Sequence, residues 1–189
     1  AAAFAERCLE LGDAPARLAG TAGAGSYLAR ALLASIRTEQ GRFAEAHELL
    51  QRCLVERPDY SEAEAALAEV RAKAALPALR AAARERSRGN LEVVLAGLPV
   101  TADTAVYRAL ATALAGGNPA ALPIVCGEPA AALLDHLLEH QAFEAFEAAL
   151  PVWNAVPLPE RERREALARI YLGRGFVDSA GEEWMAVAE

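Results

Sequence analysis

Residues 136–140, His-Leu-Leu-Glu-His, are the segment of this chain whose types and spacing most resemble working chemistry. On a helix, positions i and i+4 share a face, so His136 and His140 would present both imidazoles to one zinc ion. The five-residue pattern H-x-x-E-H arises easily by chance, and the zinc enzymes that carry it need a further downstream Glu within a large catalytic fold, for which the 49 residues after His140 are few. Leu133, Leu134, Leu137 and Leu138 outline the apolar face of an ordinary core helix, with the histidines on its polar side. The sequence is therefore read as holding no metal, and the isolated chain as lacking metal-dependent hydrolysis. Gly20, Gly23 and Gly25 precede a helix, where backbone amides can cradle phosphate. No strand comes before them and no lysine follows in the P-loop position, so the segment reads as a flexible connector. Ser26, Ser35, Ser61, Ser87 and Ser179 lack a nucleophile elbow, and paired acids such as Glu182-Glu183 suit a solvated helix face. Arg80, Arg84, Arg86 and Arg88 form one basic cluster, and Arg161, Arg163 and Arg164 another. Acids nearby in sequence are expected to pair with both. No catalytic residue and no cofactor is expected.

The elements around these residues are helices. The 189 residues include 47 Ala and 26 Leu, good helix formers, against only three Ile. That excludes an all-β fold. A hydrophobic share of 54% is too high for disorder, and no apolar run approaches the roughly 20 residues of a membrane span. A net charge of −7 argues against a nucleic-acid partner. Cys8, Cys53 and Cys126 are odd in number and far apart, so neither a disulfide framework nor a zinc knuckle is expected. A reducing, cytoplasmic setting fits that usage. The chain opens at Ala1 without a signal-type segment and reads as an excised piece, with residues 2–11 as the second helix of a preceding hairpin.

Repeats organise the rest. Tyr27 to Tyr60 is a helix–turn–helix unit of 34 residues: YLARALLASIRTEQ, Gly41, then FAEAHELLQRCLVER, closed by Pro58. Small residues (Ala34, Ala46, Cys53) fall where two helices must approach, beside large apolar ones (Leu33, Phe43, Leu50, Leu54). Ser61 opens the next helix, over residues 61–75, with Glu64 as its expected capping-box partner. Near the C-terminus, Leu167, Ala168, Tyr171, Gly175, Ala180 and Trp184 repeat the spacing. Stepping back 34 residues from Gly175 reaches Gln141, in a degenerate unit where Phe146 and Trp153 replace small residues. Pro151 is expected to break or kink that unit's second helix. Between Leu76 and Pro129 the pattern lapses, and four short helices are expected near 77–88, 91–97, 102–115 and 119–126.

The spacing resembles the tetratricopeptide repeat (TPR) family, with Arg30 and Arg37 standing where that family has aromatic residues. The resemblance implies an all-α, right-handed solenoid of helical hairpins: one domain over 1–189, with units near 27–60, 61–75 onward, 127–160 and 161–189. It also implies close-packing roles for Ala34, Ala46, Cys53, Pro58, Ala168 and Ala180. Its concave groove would be lined by Leu28, Ala31, Ser35, Thr38 and Glu39, then by Glu62, Ala65, Glu69, Ala72 and Lys73. Leu28, Ser35, Thr38, Glu39, Glu62 and Glu69 are the interaction candidates among them. The basic carboxylate clamp of chaperone-tail binders is missing, so a small-sided, acidic groove implies a basic or apolar peptide, a protein partner, or an adjoining domain of the same chain. Residues 4–60, ERCLELGDAP through QGRFAEAHELLQRCLVERPDY, also resemble the tail of bacterial family-2 glycosyltransferases that carry C-terminal TPRs. That likeness implies an accessory region beside a catalytic domain. The sequence thus suggests a non-catalytic scaffold for protein–protein interaction, with the glycosyltransferase accessory region as the alternative.

Overall fold

The computed structural model describes residues 1–15, 21–121 and 126–188. Among them are ten α-helices, one 3-10 turn and no strand. The helices are α1 (Ala2–Leu11), α2 (Tyr27–Glu39), α3 (Phe43–Glu56), α4 (Ser61–Arg84), α5 (Arg88–Leu95), α6 (Ala102–Leu114), α7 (Gly127–Glu139), α8 (Phe143–Asn154), α9 (Glu160–Gly173) and α10 (Val177–Ala188). The 3-10 turn covers Pro119–Ala121. No helix among the described residues is long and apolar enough to cross a membrane. The chain groups into two compact units, Ala1–Ala74 and Ala75–Glu189.

In the first unit, α2 and α3 form a hairpin whose closest approach is made by small side chains. Ala34, Ala46 and Cys53 are buried around Leu50, with Ala63 and Val70 of α4 completing the cluster. Larger residues there would separate the helices, which is why alanine recurs. Arg30 and Arg37 are held by ion pairs. Arg30 pairs with Glu56, and Arg37 reaches Glu6 at 2.8 Å and Glu45 at 3.5 Å. Tyr27 packs edge-on against Tyr60, 5.3 Å between centroids, and its hydroxyl accepts from Arg57 at 2.6 Å. Pro58 is exposed in the turn between α3 and α4.

Hairpin turns are closed by one backbone device. After α2, the Gly41 amide donates to Thr38 and the Arg42 amide to Arg37, with Gly41 at φ 72°. After α7, Gln141 (φ 54°) donates to Leu138 and Ala142 to Leu137. After α9, Gly175 (φ 86°) donates to Leu172 and Phe176 to Tyr171. These are Schellman closures, in which a left-handed residue lets the chain satisfy the last helical carbonyls.

The second unit is built around α6. Thr104, Ala105, Val106, Tyr107, Ala109, Leu110 and Ala111 are all buried, so α6 has apolar neighbours around most of its circumference. Its start is fixed by a true capping box: the Thr104 amide donates to Thr101 Oγ1, and the Thr101 amide to Thr104 Oγ1. Thr104 is fully buried, and its hydroxyl also donates to the Pro99 carbonyl at 2.7 Å. Against α6 lie Leu79, Leu91, Leu134, Leu137, Phe146, Val152 and Trp153 in one core. Ala168 and Ala180 are fully buried in α9 and α10.

Several boundaries differ from those expected. α4 runs unbroken through Pro77, where two helices were anticipated, and α8 runs through Pro151. Both prolines are exposed, and buried neighbours flank them: Leu79 and Ala82 in α4, Val152 and Trp153 in α8. Apolar burial on each side offsets the roughly 3 kcal/mol that an internal proline costs. The helix expected at 119–126 is a 3-10 turn over its first residues, and 122–125 lie outside the described residues. Ser61 does not cap with Glu64: its hydroxyl meets Glu62 at 3.2 Å, and the Glu64 amide donates to the Tyr60 carbonyl.

Candidate functional site

The candidate site is a groove in the first unit, with a cavity of about 320 Å³. Ala31, Ser35, Thr38 and Glu39 line it from α2, following the i, i+4, i+7, i+8 spacing of one helix face. Glu62, Ala66, Glu69, Val70 and Lys73 line it from α4, on the same logic. Leu50 of α3 and Ala63 and Val70 of α4 form a floor, each no more than 2% exposed. The small residues Ala31, Ser35, Ala63 and Ala66 leave the volume open. Tyr60 lines the groove as well, and burial raises its phenol above the ordinary range, with the Glu62 charge adding to the effect.

Five of the six groove candidates line this one cavity: Ser35, Thr38, Glu39, Glu62 and Glu69. Leu28 does not. It sits half-buried in the first turn of α2, where its amide donates to the Gly23 carbonyl. Ala72 is likewise turned into the interior, at 1% exposure, and Ala65 is exposed away from the cavity lining. Thr38 is held by its hydroxyl, which donates to the Ala34 carbonyl at 2.9 Å. Leu50, Tyr60, Ala63, Ala66 and Val70 belong to the site without having been singled out for it. Their signal was their apolar spacing, which also describes plain core.

Charge is unevenly spent along the rim. Glu69 forms an ion pair with Lys73 at 2.6 Å. Among the described residues, Glu39 and Glu62 have no cation within ion-pair distance. Three carboxylates and one ammonium leave a local charge of −2 at an apolar-floored cleft. Such a cleft favours a cation that brings apolar surface with it.

The glycine-rich segment before α2 has a different use from the one phosphate chemistry would give it. Gly20 lies outside the described residues. The Gly25 amide donates to Asp13 Oδ1 and the Ser26 hydroxyl to Asp13 Oδ2, both at 2.7 Å. A carboxylate of the chain itself thus occupies the start of α2. These two bonds, the Ser26 hydroxyl first, hold the Asp13 carboxyl below its ordinary range. A Cβ on Gly25 would stand 2.0 Å from the Gly12 backbone, so only glycine permits this approach.

In the second unit, the expected core leucines of α7 are all buried, and the His136–His140 pair lies in the helix's last turn, His136 half-buried and His140 exposed. Burial, then His140, Arg80 and Arg84, lower the His136 imidazole below its ordinary value. Asp135 is held low by Arg174, which grips both of its oxygens at 2.6 and 2.7 Å. In the arginine clusters Arg88, Arg161 and Arg164 pair with near neighbours, Glu92, Glu165 and Glu160. Arg86 instead reaches the distant Glu144 at 2.7 Å. A larger cavity of about 540 Å³ lies beside α5 and α6. Its lining includes the Arg88–Glu92 pair and Arg108, whose guanidinium is engaged by the Leu95 and Leu98 carbonyls.

Comparison with protein-family models, with curated proteins and with solved structures found no match for the chain.

Proposed function

We propose that this chain is a non-catalytic scaffold of the TPR type, and that its first unit binds a basic peptide segment in the groove between α2 and α4. The observation that carries the reading is the convergence of Ser35, Thr38, Glu39, Glu62 and Glu69 on one cavity, at positions that the TPR resemblance implies for a concave face. The apolar floor of Leu50, Ala63 and Val70 takes a short apolar side chain, and Glu39 and Glu62, which make no ion pair among the described residues, take flanking lysines or arginines. Focused field in the cleft speeds association at low salt, and screening weakens it as the Debye length falls to about 8 Å.

The test is fluorescence anisotropy with a labelled peptide of alternating Leu and Arg. Binding is expected to weaken with salt and to fall sharply in the Glu39→Lys, Glu62→Lys double variant. Both residues are exposed, so stability should change by no more than about 0.5 kcal/mol at each. Equal binding by wild type and double variant at every salt concentration would refute the reading.

A further inference from the structure

The last turn of α7 carries His136, Glu139 and His140, and one ligand atom from each lies within 4.8 Å of the others. Among the described residues this is the one group of three or more His, Cys, Asp or Glu side chains so gathered. Its acid and its imidazoles are already oriented. The His140 Nδ1 lies 3.0 Å from the His136 carbonyl. A carbonyl only accepts, so Nδ1 carries the proton and Nε2 keeps a free lone pair. A backbone carbonyl fixing one imidazole nitrogen while the other ligates is the usual arrangement around a bound metal. The His136 Nε2 is buried and makes no hydrogen bond, a cost that coordination would remove. The two rings sit 4.3 Å apart between centroids and are tilted by 43°.

Glu139 is held from the far side. Arg174 is committed to Asp135 by two short bonds and touches Glu139 Oε1 only at 3.4 Å. The ligands also stand at the carboxyl end of α7, where the helix dipole favours a cation.

We infer that His136, Glu139 and His140 form a half-buried site for a borderline divalent cation of the zinc or nickel class, bound by two imidazoles and one carboxylate. Imidazole ligands select such ions over magnesium and calcium, and a tetrahedral ion with three protein ligands keeps one position for water. The inference concerns α7 alone and stands or falls independently of the groove.

Calorimetric titration of the full chain with zinc chloride tests it, with magnesium chloride as the comparison and circular dichroism checking each variant's fold. One zinc per chain is expected, with magnesium giving no response. Glu139→Gln and His140→Ala, both at exposed positions, should each weaken zinc binding about tenfold or more. His47→Ala and Cys126→Ser should leave it unchanged. In the wild type, zinc should shift the His140 Nε2 resonance in a long-range proton–nitrogen spectrum. Absence of zinc uptake by the folded chain overturns the inference. So does uptake that survives His140→Ala and Glu139→Gln, or that disappears in Cys126→Ser.

Discussion

The α2–α3 and α7–α8 hairpins are built on one frame and filled in opposite ways. Adding 100 to a residue number in the first gives its counterpart in the second, so α2 at 27–39 answers to α7 at 127–139. Gly41 and Gln141 both take left-handed backbone and close their turns with the same pair of hydrogen bonds. Inside, Ala34, Ala46 and Cys53 stand opposite Leu134, Phe146 and Trp153, and all six are buried. The first hairpin draws its helices together over small residues. The second keeps large ones, and Phe146 stacks toward Tyr171 at 5.6 Å between centroids. A turn therefore sets the path of the chain, while the interior volume is a separate choice that each hairpin settles with its own neighbours.

The comparison breaks most violently if the large interior is emptied. Phe146→Ala should cost about 3–5 kcal/mol through the cavity it leaves, read as a fall in denaturation midpoint. A loss below 1 kcal/mol would mean that the second hairpin tolerates the small-residue interior of the first. The converse change, Ala46→Leu, should overpack the first hairpin and cost about 1–3 kcal/mol. An unchanged thermal melt would refute the close-packing role of Ala46.

The shared turn gives a smaller and opposite pair of effects. No atom lies within 4 Å of a Cβ added at Gly41, so Gly41→Ala meets only backbone strain and should cost about 1–2 kcal/mol. Gln141→Gly should relieve that same strain and gain about 0.5–1 kcal/mol after the extra unfolded-state entropy of glycine is counted. Equal responses at the two turns would deny their equivalence.

The least effect concerns the helix starts. Asp13 accepts bonds at the start of α2, whereas Cys126 offers α7 no side-chain cap. Because the folded-state Asp13 carboxyl is held below its ordinary value, its stabilisation is present above the normal carboxylate range and is lost as pH falls through the depressed value. The Gly25 amide resonance should report that loss in acid, and Asp13→Asn should abolish the transition.

The helical class was legible because alanine and leucine dominate everywhere. The first hairpin was legible because its small and large residues fall at fixed spacing around Gly41. Gln141 was found only by stepping 34 residues back from Gly175, since its own type gives no hint of left-handed backbone. The path of α4 through Pro77 was not legible, because it depends on the burial of Leu79 and Ala82 rather than on any local preference. The α6 box escaped notice because Thr104 stands where a Glu or Gln is the usual sign. In the groove, the candidates on α2 and α4 came from the TPR resemblance, and those that line the cavity share one helix face. The Leu50 floor comes from α3, and spacing along a single helix says nothing about a third one beneath.

Cys53 turns the first hairpin into its own reporter. Its thiol is fully buried, burial pushes its ionisation upward, and Sγ donates to the Tyr27 carbonyl at 3.3 Å. Cys126 in the second unit lies exposed. In a Cys8→Ser background, which removes the half-buried third thiol, an alkylating reagent should therefore modify Cys126 at once and Cys53 only when the α2–α3 hairpin opens. The delay between the two modifications is a clock for local opening, and it reads the first hairpin without any engineered label.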